Sequence, residues 1–135
     1  MKELTIKASL DNLAAVMAFV DAELEELGCS MKTQYQIDVA VDELFSNISQ
    51  YAYTPNEGSA TLRLESDREA GVISITFIDS GVPFNPLLKK DPDVTQSVED
   101  REIGGLGIFI VKKSMDAMHY EYRNGQNILS IKKKL

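Results

Sequence analysis

A chain of 135 residues, 44% hydrophobic and 26% charged, is long enough for one folded domain over 1–135 and short for two, with the composition of a soluble globular protein. Its formal net charge of −7 argues against a nucleic-acid partner, because phosphate binding relies on clustered Lys and Arg. One cysteine, Cys29, and one histidine, His119, exclude an internal disulfide and give no metal-ligand set.

Apolar runs such as 108–111 are far too short to span a membrane, and the start, Met1-Lys2-Glu3-Leu4-Thr5, lacks the core of a signal peptide. A cytoplasmic protein with no membrane contact is therefore expected. Residues 1–67 hold 4 basic and 12 acidic side chains, whereas residues 68–135 hold 10 and 9. An acidic first half suits a basic protein partner, but a solvated acidic face is the commoner arrangement.

In chain order, Leu4, Ile6 and Ala8 alternate with polar residues and predict a first strand. Ser9 then caps a helix whose apolar positions Leu10, Leu13, Met17, Val20, Leu24 and Leu27 step by three or four, and Gly28 stops it. A second helix is predicted over 33–53, with Ile37, Val41, Leu44, Ile48 and Tyr51 on one face, ended by Pro55 and Gly58. Strands follow over 59–65 and 72–78, joined by a turn at 67–71. Residues 82–103 carry no sustained periodicity, which inside a small domain marks a lid or a binding segment. A third helix is predicted from Gly104 to about Met118, then strands over 119–123 and 128–132 joined by the hairpin turn Asn124-Gly125. Lys132, Lys133 and Lys134 fit the protected edge or fraying end of the last strand. Hairpin-joined strands with helices in blocks predict an α+β two-layer sandwich: one mixed, mainly antiparallel sheet with its helices on one face.

Three short segments carry chemistry. Glu43 and Asn47, four apart on the second helix, project from one face. An Asn carbonyl oxygen is a hard, neutral magnesium ligand, and a carboxylate one turn away holds a water or accepts a proton beside it; taken alone, the pair equally describes a polar helix face. Asp79 stands at a strand end before Ser80-Gly81, where a carboxylate accepts a hydrogen bond from an exocyclic amine and glycine lets a flat ring approach the main chain. An ordinary Asp-Ser-Gly turn explains the same residues. Gly104-Gly105-Leu106-Gly107 opens a helix, where exposed N–H groups and the helix dipole suit a phosphate, and it matches neither the P-loop nor the dinucleotide fingerprint; taken alone, a flexible linker to a helix explains these glycines equally.

Taken in order, Glu43-Leu44-Phe45-Ser46-Asn47, Asp79-Ser80-Gly81-Val82-Pro83-Phe84-Asn85-Pro86 and Gly104-Gly105-Leu106-Gly107-Ile108-Phe109 resemble the N, G1 and G2 boxes of the Bergerat-fold (GHKL) ATPases, the superfamily of gyrase, histidine kinases and mismatch-repair ATPases. Within it the chain looks like the small bacterial anti-sigma factor serine/threonine kinases, and the Pro83-Phe84 pair after Val82 is specific to that branch. The resemblance covers nearly the whole length.

It implies ATP and Mg2+ as cofactors, Asn47 as the metal ligand and Glu43 as the catalytic acid-base or positioning group. It places Asp79, Gly81 and Phe84 around the adenine, Gly104, Gly105, Leu106 and Gly107 at the phosphates, and a lid over about 87–103. Asn85 departs from the Asp that such kinases often carry. Lys89, Lys90 and Arg101 are the lid's candidates for a γ-phosphate contact. The resemblance further implies phosphorylation of an anti-anti-sigma (STAS) protein, sequestration of a sigma factor, and a homodimer. A non-catalytic ATP-dependent binding switch is the alternative. A histidine-kinase catalytic domain is disfavoured, since His119 lies past the G2 box and no upstream helix carries a phospho-accepting His.

Overall fold

The computed structural model describes residues 1–88 and 105–135, with the main chain alone at 105 and 106. Its elements are β1 (Lys2–Lys7), α1 (Leu13–Leu27), α2 (Met31–Asn47), β2 (Ser59–Asp67), β3 (Val72–Asp79), α3 (Gly105–Ser114), β4 (Ala117–Arg123) and β5 (Gln126–Lys134). The strands form one sheet in the order β1-β2-β3-β5-β4, and all four pairings are antiparallel, which narrows the expected mixed, mainly antiparallel sheet.

Strand alternation sends Leu62, Leu64, Ile73, Ile75, Phe77, Leu129 and Ile131 to one face, where they pack on Val16, Val20 and Leu24 of α1, Ile37, Val41, Leu44 and Phe45 of α2, and Ile108 and Val111 of α3. Burying each of the larger of these side chains contributes roughly 1.5–3 kcal/mol, so this shared core is the main force holding the helical layer to the sheet. The helix ends follow local chemistry. Gly28 takes φ 69° and donates its N–H back to Glu25 and Leu24. Ser30 caps α2 by accepting from the Thr33 N–H at 3.1 Å, a contact worth about 1 kcal/mol. Asn124 and Gly125 both have positive φ, 54° and 76°, as the tight hairpin between β4 and β5 requires. Among the described residues no helix is long and apolar enough to cross a membrane.

Three departures from the predicted elements have physical causes. The chain makes a 3-10 turn over Leu10–Asn12 before α1, and the different angular step of that turn leaves Leu10 48% exposed, while Val16, in step with Val20 and Leu24 inside α1, joins the core. The second helix ends its α-geometry at Asn47 and continues as a single π-turn over Ile48–Ala52, so Tyr51, expected on the apolar face, is 61% exposed. The third helix stops at Ser114 rather than near Met118 because β5 captures the chain: Asp116 donates its N–H to the Lys132 carbonyl and accepts from the Lys134 N–H.

Where α1 packs on α2, Asp21 and Asp38 each bury one carboxyl oxygen that meets no donor. Burial, reinforced by the hydrogen bond and charge of Asp21, pushes Asp38 up from 3.8 to about 7. A folded-state pKa above the unfolded one means that the native chain binds the proton more tightly, so stability drains away as pH rises from about 4 to about 7 and stays low above that. Asp38→Asn supplies a permanent donor. Its melting temperature is expected to match the parent near pH 4.5 and to exceed it by a widening margin up to pH 7.5; a margin that does not change with pH refutes the assignment.

Candidate functional site

The site grows from one irregularity in the apolar pattern of the sheet. Along β3 the inward residues are Ile73, Ile75, Phe77 and then Asp79, and the register sets Asp79 directly opposite Asn127 of β5. Both are buried, at 7% and 6% exposure. Buried polar groups persist only when their hydrogen bonds are satisfied. Here the Asp79 Oδ1 accepts from the Asn127 Nδ2 and from the Gly81 N–H, each at 2.9 Å.

The loop leaving β3 is tied on two sides. Towards β5, the Asn127 Nδ2 donates to the Val82 carbonyl at 2.9 Å, and the Asn127 Oδ1 accepts from the Phe84 N–H at 3.1 Å and from the Tyr120 hydroxyl at 2.5 Å. Burial pushes the Tyr120 hydroxyl above the usual tyrosine range, which keeps it a donor. Towards the π-turn, the Val82 N–H donates to the Ala52 carbonyl at 2.9 Å, and the Tyr53 hydroxyl accepts from the Ser80 N–H while donating to the Ser59 carbonyl. Gly81 passes so close to Ala52 that a Cβ there would overlap the Ala52 carbonyl.

Between this loop, the end of α2 and the sheet lies a cavity of about 150 Å³. Its walls are apolar, with Leu44, Ile48 and Ala52 on the helical side, Phe77 and Leu129 on the sheet, and Val82, Pro83 and Phe84 on the loop. Its polar lining comes from Asn47, Asp79, Asn127 and the Tyr120 hydroxyl. An apolar slot with a few fixed polar groups is the usual form of a small-molecule site.

Of the residues singled out in the sequence, Asn47, Asp79 and Phe84 line this cavity, and Gly81 borders it through its bond to Asp79. Glu43 is half-buried one helical turn before Asn47 and lies against α3: a Cβ on Gly107 would overlap its carboxylate. α2 therefore touches the cavity with Asn47 and the start of α3 with Glu43. Gly105 and Leu106 form the first turn of α3. Gly104, Lys89, Lys90, Arg101 and the lid segment beyond Leu88 lie outside the described residues. Asn85, the departure noted above, accepts from the Leu87 N–H at 2.9 Å and starts a short 3-10 turn over Pro86–Leu88, a capping task that its carboxamide fulfils as an Asp would.

Sequence reasoning missed Asn127 and Tyr120. The signal was present, because Asn127, Leu129 and Ile131 alternate along the last strand and the first of them is a polar residue on the buried face. As Asn124-Gly125 fixes the hairpin, that position was legible; its partner on β3 was not.

The sequence matches the Histidine kinase-like ATPase domain family over residues 6–133. It is 30% identical over 105 residues to Serine/threonine-protein kinase BtrW of Bordetella bronchiseptica, which covers 76% of this chain and 71% of the relative. It is 26% identical over 136 aligned positions to Serine-protein kinase RsbW of Bacillus mycoides and to that of Bacillus cereus, in each case 96% of this chain and 82% of the relative.

The two glycines at this site differ in what surrounds them, and their substitutions separate accordingly. Gly81→Ala meets main chain, which cannot step aside, and is expected to lower stability by about 1–3 kcal/mol in chemical denaturation. Gly107→Ala meets only the end of a flexible side chain and is expected to leave stability within about 0.5 kcal/mol while displacing Glu43. Equal losses for the two variants would contradict this account.

Proposed function

Because the chain belongs to the Histidine kinase-like ATPase domain family, we propose that it is an ATP-dependent protein serine/threonine kinase of the anti-sigma factor type. In this reading it phosphorylates an anti-anti-sigma partner of the STAS fold, sequesters a sigma factor, and works in the cytoplasm as a homodimer. The observation that carries the proposal is the convergence of three sequence-distant segments: Asn47 and Asp79 line one cavity, and Glu43, one turn away, abuts Gly107 at the start of α3. The names of the relatives, both protein kinases acting on serine or serine/threonine, support the class of reaction.

In this proposal the adenine occupies the apolar slot, its exocyclic amine donates to Asp79, and Phe84 lies beside the ring. The phosphates extend towards the first turn of α3, where main-chain N–H groups of Gly105 and Gly107 and the helix dipole favour negative charge. Asn47 offers one hard neutral oxygen, which suits a magnesium ion that keeps water and phosphate oxygens for the rest of its sphere. When bound, the ion neutralises charge on the phosphates. Glu43 takes the proton of the partner's serine or threonine hydroxyl as that oxygen bonds to the γ-phosphorus and the bond to ADP breaks. Such chemistry depends mostly on positioning and electrostatics, which rigid elements such as α2 and β3 supply.

Incubation with γ-labelled ATP, magnesium and STAS proteins is expected to label a partner serine or threonine. Glu43→Ala should cut that transfer by roughly 10²–10⁴-fold while calorimetric ATP affinity changes little, whereas Asn47→Ala should weaken binding of ATP in the presence of magnesium. Labelling that survives in Glu43→Ala sinks the catalytic assignment, and a parent chain that binds ATP yet labels nothing favours a nucleotide-dependent binding switch.

A further inference from the structure

Asn127 belongs to no motif that the sequence displays, yet its carboxamide is the most fully used side chain of the site. Its two N–H groups meet the Asp79 Oδ1 and the Val82 carbonyl, and its oxygen meets the Phe84 N–H and the Tyr120 hydroxyl. A carboxamide has two donors and one oxygen with two lone pairs, so nothing remains for a ligand. The orientation is also dictated: a main-chain N–H only donates and a carbonyl only accepts, so turning the amide over would oppose like groups at Phe84 and Val82.

We propose that Asn127 is a positioning and specificity-determining residue that acts through Asp79. The inference rests on the reading of Asp79 as the adenine-binding carboxylate. With Oδ1 held by the Asn127 and Gly81 donors, the Asp79 side chain cannot rotate, and its remaining oxygen is committed to accepting from the base. The 6-amino group of adenine satisfies that oxygen. The 6-oxo group of guanine opposes it, so a locked acceptor discriminates against GTP. The same carboxamide fixes the main chain at Val82 and Phe84, which form the loop wall of the slot.

Asn127→Asp tests this with a readout that mere structural damage does not move. A protonated carboxylic acid at 127 reproduces the essentials of the amide, with one donor for Asp79 and one acceptor for Phe84 and Tyr120. An ionised one sets two carboxylates against each other and against the Val82 carbonyl. The titratable groups facing position 127 are Asp79 from β3 and, from β4, Tyr120 and Tyr122, the latter directly opposite Asn127 in the register.

ATP and GTP affinities are measured by calorimetry from pH 5 to pH 8, each divided by the parent value at the same pH to remove the titration of the nucleotide itself. For Asn127→Asp the ATP ratio should fall at least tenfold at pH 8 and recover at pH 5, and the preference for ATP over GTP should shrink with it. Tyr120→Phe removes one donor from the Asn127 oxygen and leaves the ring in place. It should weaken ATP binding about three- to tenfold. Ratios that stay flat with pH in Asn127→Asp, or unaltered affinity in Tyr120→Phe, overturn the role of Asn127 while the kinase proposal stands. A parent chain that binds neither nucleotide overturns both.

Discussion

At one end of the sheet two adjacent inward-facing positions, Asp79 and Asn127, are polar, and the cavity depends on that. The neighbouring rows pair Phe77 with Leu129 and Ile75 with Ile131, and they bind the sheet to its helices by exclusion of water. At Asp79 and Asn127 the same geometry delivers a carboxylate and a carboxamide into the same low-polarity layer, where each must find partners or destabilise the fold. They find them in each other and in the main chain of residues 81–84. A loop that would otherwise be free at the end of a strand is thereby shaped into the wall of a cavity. The end of the sheet and the cavity wall draw on the same hydrogen bonds.

α2 organises the rest. It packs between α1 and α3, and its inward residues Ile37, Val41, Leu44 and Phe45 are almost completely buried. A helix so anchored has little freedom to rotate, so Glu43 and Asn47 are carried at fixed heights along it. The absence of a side chain at Gly107 lets the Glu43 carboxylate lie against α3, and the absence of one at Gly81 lets the loop meet the π-turn. Two glycines therefore allow three segments from distant parts of the sequence to come within contact of each other. The acidic pair Asp21 and Asp38, on the other side of α2, shows the opposite tendency: there the helices approach so that each carboxyl group buries one oxygen without a partner.

Much of this arrangement was readable from the residues, and the remainder was hidden for identifiable reasons. The αL glycine after α1, the Asn124-Gly125 hairpin and the strand alternations are local, governed by chemistry within four or five positions, and the structure follows them. The spacing of Glu43 and Asn47 is likewise helical arithmetic. Asn127 is different, because its role is created by the pairing of β5 with β3, forty-eight positions apart, and no local pattern encodes a register across that distance. The exposures of Leu10 and Tyr51 were missed for a related reason: a 3-10 turn before α1 and a π-turn after α2 shift the angular phase, and periodicity analysis assumes a constant one. The Asp21–Asp38 contact also arises only when two helices are laid side by side.

The π-turn after Asn47 has a consequence for how this segment tolerates change. Five residues in the wider turn occupy angular room that four or so would fill in an ordinary helix, so the segment acts as a splice between two phases. Upstream, Leu44 and Asn47 reach the cavity from the ordinary helix; downstream, Ile48 and Ala52 wall it, and the Ala52 carbonyl holds the loop at Val82. Removing one residue from the splice would restore the ordinary phase and carry the Ala52 carbonyl away from the Val82 N–H that it now receives.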